Sequence, residues 1–141
     1  MGLNDAIEKS MDGIRASRLQ MELIASNIAN AQTTRSKDGG PYQRRVAVFE
    51  EVPFESHLRH AEKKPVGALR LAEIKRDIMP GEVVYNPNHP DADANGFVQM
   101  PNVSVVQEMT DLSWVSQLYN INVQAYNASR RMGQDALRLL E

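Results

Sequence analysis

Residue types and spacings that could do chemistry are concentrated between Tyr85 and Val103, YNPNHPDADANGFVQMPNV. The centre of this segment, Asp91-Ala92-Asp93-Ala94-Asn95-Gly96, copies the first half of a calcium loop. Such a loop takes oxygen ligands at positions 1, 3 and 5, a glycine at 6 and a bidentate glutamate at 12. Asp91, Asp93, Asn95 and Gly96 meet the first four demands. The last falls on Asn102, whose amide cannot supply two carboxylate oxygens. Pro87 and Pro90 precede the loop and Pro101 lies inside it, where proline breaks the helical flanks. The competing reading is turn geometry, because short Asp and Asn side chains bond the local backbone and Gly accepts positive φ. On that reading Val83 to Tyr85 and Phe97 to Met100 are two short strands joined by a polar connection. A calcium-responsive binding module using Asp91, Asp93 and Asn95 is the alternative function.

Elsewhere the chemistry is sparse. His57 and His60, with Glu55 and Glu62 nearby, have a spacing that could hold zinc on a helix, but the segment reads as a solvated loop. His89, between prolines and acids, reads as a turn residue. Gly39-Gly40 lacks the spaced glycines and following Lys-Ser/Thr of a phosphate loop. No serine sits in a nucleophile-elbow context. Trp114, Tyr119 and Tyr126 could line a ligand pocket, although their spacing fits a packing seam with polar tips at a wet edge. These residues predict no enzyme, no cofactor and no metal.

Composition narrows the classes further. The chain has 141 residues, enough for one domain or one elongated subunit, and a formal net charge of -2. Arg44-Arg45, Lys63-Lys64 and Arg130-Arg131 are isolated pairs, which read as solvated faces and give no track for nucleic acid. With no cysteine there are no disulfides and no thiolate sites. No apolar run is long enough to span a bilayer. Asp5, Glu8, Lys9 and Asp12 interrupt the place where a cleavable secretion signal needs an apolar core.

The elements that must position these residues come in two kinds. Ile7, Met11, Ile14, Met21, Ala25 and Ile28 alternate steps of four and three, with Arg18 in the polar slot, as in a heptad seam. Val105, Met109, Leu112, Tyr119, Val123, Tyr126, Leu137 and Leu140 repeat the pattern, with Ser116, Arg130 and Gly133 in its weaker slots. The spacing predicts helices at about 4–30 and 104–140. Asn30 is placed to end the first in a left-handed cap, and Asn102 or Ser104 to start the second, with Gln107 completing a capping box on Ser104. The middle leans to β: Gln43 to Val52 alternates, with Val46 and Val48 opposite Ala47 and Phe49, and Val66 to Ile74 alternates weakly. Pro53 to Pro65 reads as a loop or short helix.

The expected fold is therefore mainly α with a small β insert, its long terminal helices packed as an antiparallel coiled-coil-like hairpin. The expected units are a terminal-helix domain, 1–32 with 103–141, and a β-rich or irregular middle, 33–102. Paired only with each other, the two helices make a marginal hairpin, because a narrow apolar seam has to offset the backbone entropy of both. Gly13 and Gly133 weaken the helices further while allowing close backbone approach. The termini are thus expected to order fully only against neighbouring subunits, and full helix content in circular dichroism of the dilute chain would count against this.

The sequence also carries a resemblance. Leu19 to Thr34, LQMELIASNIANAQTT, resembles the N-terminal motif of the bacterial flagellar rod and hook axial proteins: an apolar helix, then S-N-[IL]-A-N-A, then threonines. Asp38 to Glu50, DGGPYQRRVAVFE, is similar to the D-G-x-P-Y-x-R segment of proximal-rod members. The Tyr85 to Val103 segment is similar to their Y-x-P-x-H-P-x-A-D-x-x-G-[YF]-V-x-x-P-N-V motif, and Tyr119 to Val123 resembles the C-terminal Y-x-x-N-V. The motif positions are Ser26, Asn27, Asn30, Pro41, Tyr42, Pro90, Asp93, Gly96, Pro101, Asn102 and Asn122. Gln117 departs from the arginine many members carry, and residues 1–18 and 53–65 match weakly.

The resemblance implies a structural subunit of the flagellar proximal rod, exported unfolded through the flagellar type III apparatus without a cleaved signal peptide. It implies a helical assembly of the chain with itself and with the rod proteins FlgB, FlgF, FlgG and FliE, spanning the periplasm and carrying torque from motor to hook. The heptad residues are then expected at subunit interfaces, and the amides of Asn27 and Asn30 on neighbouring backbones.

Overall fold

The computed structural model describes residues 2–37, 39–51 and 69–138. The histidine cluster at 57 and 60, Lys63-Lys64, the segment 53–65 and Leu140 lie outside the described residues. Two long helices, α1 (Leu3–Ala29) and α2 (Val105–Arg138), enclose two small antiparallel sheets in sequence. The fold is mainly α with a small β insert, and the two helices pack on each other. They are about 40 Å and 51 Å long at ~1.5 Å per residue.

The innermost stripe of the hairpin differs from the predicted seam by one step. The buried residues of α1 are Ser10, Ser17, Ile24 and Asn27, and those of α2 are Glu108, Val115 and Ser129. Each column sits one residue before a predicted one. Small side chains explain this. A Cβ on Gly13 would lie 2.8 Å from the Asn122 amide, and one on Gly133 would lie 2.9 Å from Leu3. The hydroxyls of Ser10 and Ser17 donate to the carbonyls of Ala6 (2.9 Å) and Gly13 (2.8 Å), so burying them costs little. Close approach along this column leaves the bulky stripe on its rim. Ile7, Met11, Ile14, Met21, Ile28, Leu112, Tyr119, Val123 and Tyr126 are half-buried, while Ala25, Val105, Met109 and Leu137 are exposed.

Capping also differs in detail. Asn30 is the C-cap of α1, but with φ −103° and ψ 11° it is not left-handed. Its amide donates to Ser26 O (2.8 Å) and its carbonyl accepts from Thr33 (3.2 Å), which supplies the stop without positive φ. At α2, Ser104 Oγ accepts from Gln107 N–H at 3.5 Å, a long contact, and the Gln107 side chain turns to Asp111. The capping box is therefore half formed.

Strands β1 (Arg45–Glu51) and β2 (Leu69–Arg76) form a two-stranded ribbon. Its register shifts after the Val48–Glu73 pair, where Phe49 meets Leu71 and Ala72 is the extra residue. Because side chains alternate, this bulge keeps Leu69, Leu71, Ile74, Ala47 and Phe49 on one face. Without it, Leu69 and Leu71 would flip to the face of Glu50 and Glu73. Strands β3 (Val83–Tyr85) and β4 (Phe97–Gln99) pair as predicted, with Tyr85 and Phe97 edge to face at 5.3 Å. Among the described residues the apolar core is thin: Ile24, Tyr42, Val98, Val115 and Pro101.

Candidate functional site

The polar centre of the molecule lies where both helices meet the start of the ribbon. Asn27, on the last turns of α1, is 1% exposed, and its amide is fully used. Its oxygen accepts from the Tyr42 hydroxyl (2.9 Å) and from Arg45 N–H (3.0 Å). Its nitrogen donates to Arg45 C=O (3.0 Å) and to Glu108 Oε2 (3.1 Å). Two lone pairs and two N–H groups are all an amide has, so no bonding capacity remains.

Glu108, one turn into α2, is 0% exposed. Its second oxygen accepts from Arg44 Nε, while Arg44 Nη2 reaches Asp111 at 3.2 Å. A buried carboxylate is tolerated only when paired and hydrogen-bonded, and here Arg44 and Asn27 supply both. Asn102 ties in the remaining element. Its oxygen accepts from Arg44 N–H (2.8 Å), and its amide nitrogen donates to Asp77 C=O (2.9 Å), just past β2. The Arg45 guanidinium lies over the Tyr42 ring at 5.8 Å, a cation–π distance.

Three of the sequence motifs converge here: Asn27 from the first, Tyr42 from the second and Asn102 from the third. The first correction concerns Asn27 and Asn30. The Asn27 amide is spent inside the chain and is not available to a neighbour's backbone in this arrangement, whereas Asn30, half-buried, uses one N–H on Ser26 and one lone pair on Thr33. The second concerns Arg44, which the sequence reading assigns to a solvated pair; its side chain is only 27% exposed and holds two acids. Glu108 and Asp111 are missed by sequence reasoning as well. The available signal is that Glu108 precedes Leu112 and Val115 by four and seven residues, placing a charge on the apolar stripe of a helix.

The Asp91–Gly96 loop sits apart and uses its groups as a turn. Asp93 Oδ1 accepts from Asn95 N–H (2.8 Å) and Phe97 N–H (2.9 Å). Gly96 has φ 81°, which only glycine takes without strain, and it is buried against Tyr85 and Pro87. Asp91 faces the other way, accepting from Thr34 Oγ1 at 2.7 Å and from Arg35. The Thr34 hydrogen bond, opposed by partial burial and reinforced by the Arg35 charge, holds Asp91 below its ordinary pKa of 3.8. His89 Nδ1 accepts from Asp91 N–H at 3.1 Å. Among the described residues no three acids or histidines are grouped to hold a metal. These carboxylates are committed to amides and to Arg35, an arrangement that does not fit the cation of the alternative reading.

Of the other motif residues, Pro101 is buried, Ser26, Pro41 and Asn122 are half-buried, and Pro90 and Asp93 are exposed. Trp114, 63% exposed, borders a cleft of about 150 Å³ lined also by Leu23, Ile24, Val46 and Val115. Tyr119 and Tyr126 do not line it. One glycine escapes the sequence reading. A Cβ on Gly81 would lie 1.9 Å from Met100 O, so the chain there passes backbone against backbone.

The fold is a helical hairpin tied to a small ribbon by a buried polar network, an arrangement that fits a structural subunit. Comparison with known proteins agrees. The family model for the flagellar basal body rod FlgEFG protein C-terminal region matches residues 94–139. The Borreliella burgdorferi flagellar basal-body rod protein FlgC is 34% identical, covering 100% of this chain and 99% of its own. The Salmonella typhimurium FlgC is 32% identical, over 99% of this chain and 98% of its own, and the Bacillus subtilis FlgC is 33% identical, over 95% of each. The chain belongs to the FlgC family of flagellar basal-body rod proteins. Its role is structural rather than enzymatic, and its place is the flagellar basal body. Among the described residues no helix is long and apolar enough to cross a membrane.

Proposed function

We propose that this chain builds the proximal part of the flagellar rod by polymerising through its terminal helices. The observation that carries this reading is the outer face of α2. Between Asp111 and Arg130 the helix has no charged residue, yet Trp114 and Ile121 are 63% and 59% exposed. Met132, 58% exposed, continues the same face towards the C-terminal end of the helix. An isolated subunit gains nothing from an exposed, charge-free helix, whereas depletion of charge with retained aromatics and Met marks the core of a protein interface. The rim stripe of α1, from Ile7 to Ile28, is also only half covered by its own partner helix.

On this reading the subunits meet in open, head-to-tail contacts that generate a helical array. The neighbours are further copies and the rod proteins FlgB, FlgF, FlgG and FliE. The chain reaches the periplasm through the flagellar type III export apparatus, and the packed array transmits torque from motor to hook. Packed helices resist twisting because interior side chains at native density have no free volume to move into. Deleting the gene and purifying the remaining basal bodies tests the proposal. An absent or truncated rod is expected, and an intact rod with hook would overturn it.

A further inference from the structure

Two consecutive residues tie the base of the ribbon by hydrogen bonds to the elements around it. Arg44 is bound to the α2 side: its guanidinium contacts Glu108 and Asp111, and its N–H donates to Asn102, which precedes the helix. Its carbonyl accepts from Asp77 N–H at 2.8 Å, past the end of β2. Arg45 is bound to α1, with both its N–H and its C=O on the Asn27 amide. Both helices and both ribbon strands therefore meet within one dipeptide. We propose that Arg44 and Arg45 form a rigid joint that fixes the orientation of the β1–β2 ribbon against both helices at once.

Both ribbon strands pack on α1, whereas the tie to α2 runs through Arg44. A two-stranded ribbon is marginal alone, and every residue of β2 is exposed. The seven residues of β1 give a lever of roughly 24 Å at ~3.4 Å per residue, so a small rotation at its base moves the far end widely. Without the Arg44 side chain the ribbon would be held chiefly from the α1 side and could pivot about that helix. The Arg44 contacts remove that freedom, because the forked guanidinium spans two acids three residues apart on α2. Glu108 is buried to receive it, and a paired buried ion of this kind sets geometry more than it adds stability. The use of the joint as a load path rests on the rod reading; its stiffness does not.

The chain has no cysteine, so introduced cysteine pairs carry spin labels without background. One pair is Glu73→Cys on β2 with Arg15→Cys on α1, and a second is Glu73→Cys with Gln124→Cys on α2; all three positions are exposed. Pulsed electron paramagnetic resonance on the full chain should give one narrow distance for each pair. In Arg44→Ala with unchanged helix content, both distributions should broaden, to roughly twice the width as a second orientation becomes populated. Arg44→Lys, which keeps the charge but loses the fork, should broaden them as well. If Arg44→Ala loses helix content, the isosteric Glu108→Gln decides by the same criterion. Broad distances in the parent, or narrow ones in folded variants, overturn the joint. Failure of the rod reading shows separately, as an intact rod in the deletion strain, and leaves these distances unchanged.

Discussion

Replacing Asn27 with alanine is the most direct probe of the polar network. The change removes four hydrogen bonds and strands four partners. Two of them are buried: Glu108 is 0% exposed and Tyr42 is 7% exposed. Each buried group left unsatisfied costs about 1–3 kcal/mol, so the pair alone predicts a loss of about 4 kcal/mol. Against a typical total of ~5–15 kcal/mol, and with the thin core described above, that loss should bring the urea midpoint close to zero denaturant. Far-UV circular dichroism during a urea titration measures it. The near-isosteric Asn27→Asp sharpens the test. It keeps both acceptors but sets a carboxylate 3.1 Å from Glu108 Oε2, where the native N–H stood. At neutral pH it should destabilise at least as much as alanine. Adding Glu108→Gln restores a donor facing the acceptor, and the double-mutant cycle should return a coupling of about 0.5–3 kcal/mol. A loss under about 1 kcal/mol for Asn27→Ala, against the 1–3 kcal/mol expected of even one orphaned group, would refute the reasoning. So would parent-like stability of Asn27→Asp.

Three further outcomes follow from specific contacts. Gly81→Ala would drive a Cβ to 1.9 Å from Met100 O, and neither backbone can give way without breaking the Met100 N–H bond to Glu82 O. A loss of about 3 kcal/mol and faster amide exchange at Met100 are expected, and unchanged exchange would contradict this close passage. Gly13→Ala gains ~1 kcal/mol of helix propensity but meets the Asn122 amide at 2.8 Å, an overpacking cost of ~1–3 kcal/mol, so it should destabilise alone and stabilise when combined with Asn122→Ala. A gain for the single variant in thermal melting would show that the helices are not in close contact there. For Asp91, whose folded pKa lies below 3.8, the stabilising effect is complete above that value and is lost as pH falls through the lowered one. Thr34→Ala should raise the carboxyl pKa in an NMR titration, and a parent pKa at or above 3.8 would contradict the assigned hydrogen bond.

The regular elements were legible because their signals are local. Heptad spacing predicts helices at 4–30 and 104–140, and the structure has them at Leu3–Ala29 and Val105–Arg138. Turn chemistry places β3 and β4 on either side of the Asp91–Gly96 loop, because Asp93 and Gly96 act on backbone only a few residues away. What misled was treating the largest apolar stripe as the innermost one. Hydrophobic periodicity weighs Ile and Met above Ser and Gly, but the buried column of α1 carries Ser10 and Ser17, and Gly13 leaves room for the Asn122 side chain. Asn30 misled in a smaller way, since its side chain caps the helix without the left-handed backbone that asparagine tolerates.

The helical spans, the turn geometry of the Tyr85–Val103 segment and, through the order of its motif residues, the FlgC family could be read from the amino-acid order alone. Each of these depends on residues close together in the chain or on their identity alone. That Asn27, Tyr42, Arg44, Asn102 and Glu108 form one network emerges only in the folded chain. Asn27 and Glu108 stand 81 residues apart, and no local periodicity encodes such a contact. A glutamate on a helix reads as a solvated charge until its surroundings are known. Burial between two helices and a strand makes it a carboxylate that must be paired, and the donors that satisfy it, Arg44 and Asn27, come from different elements.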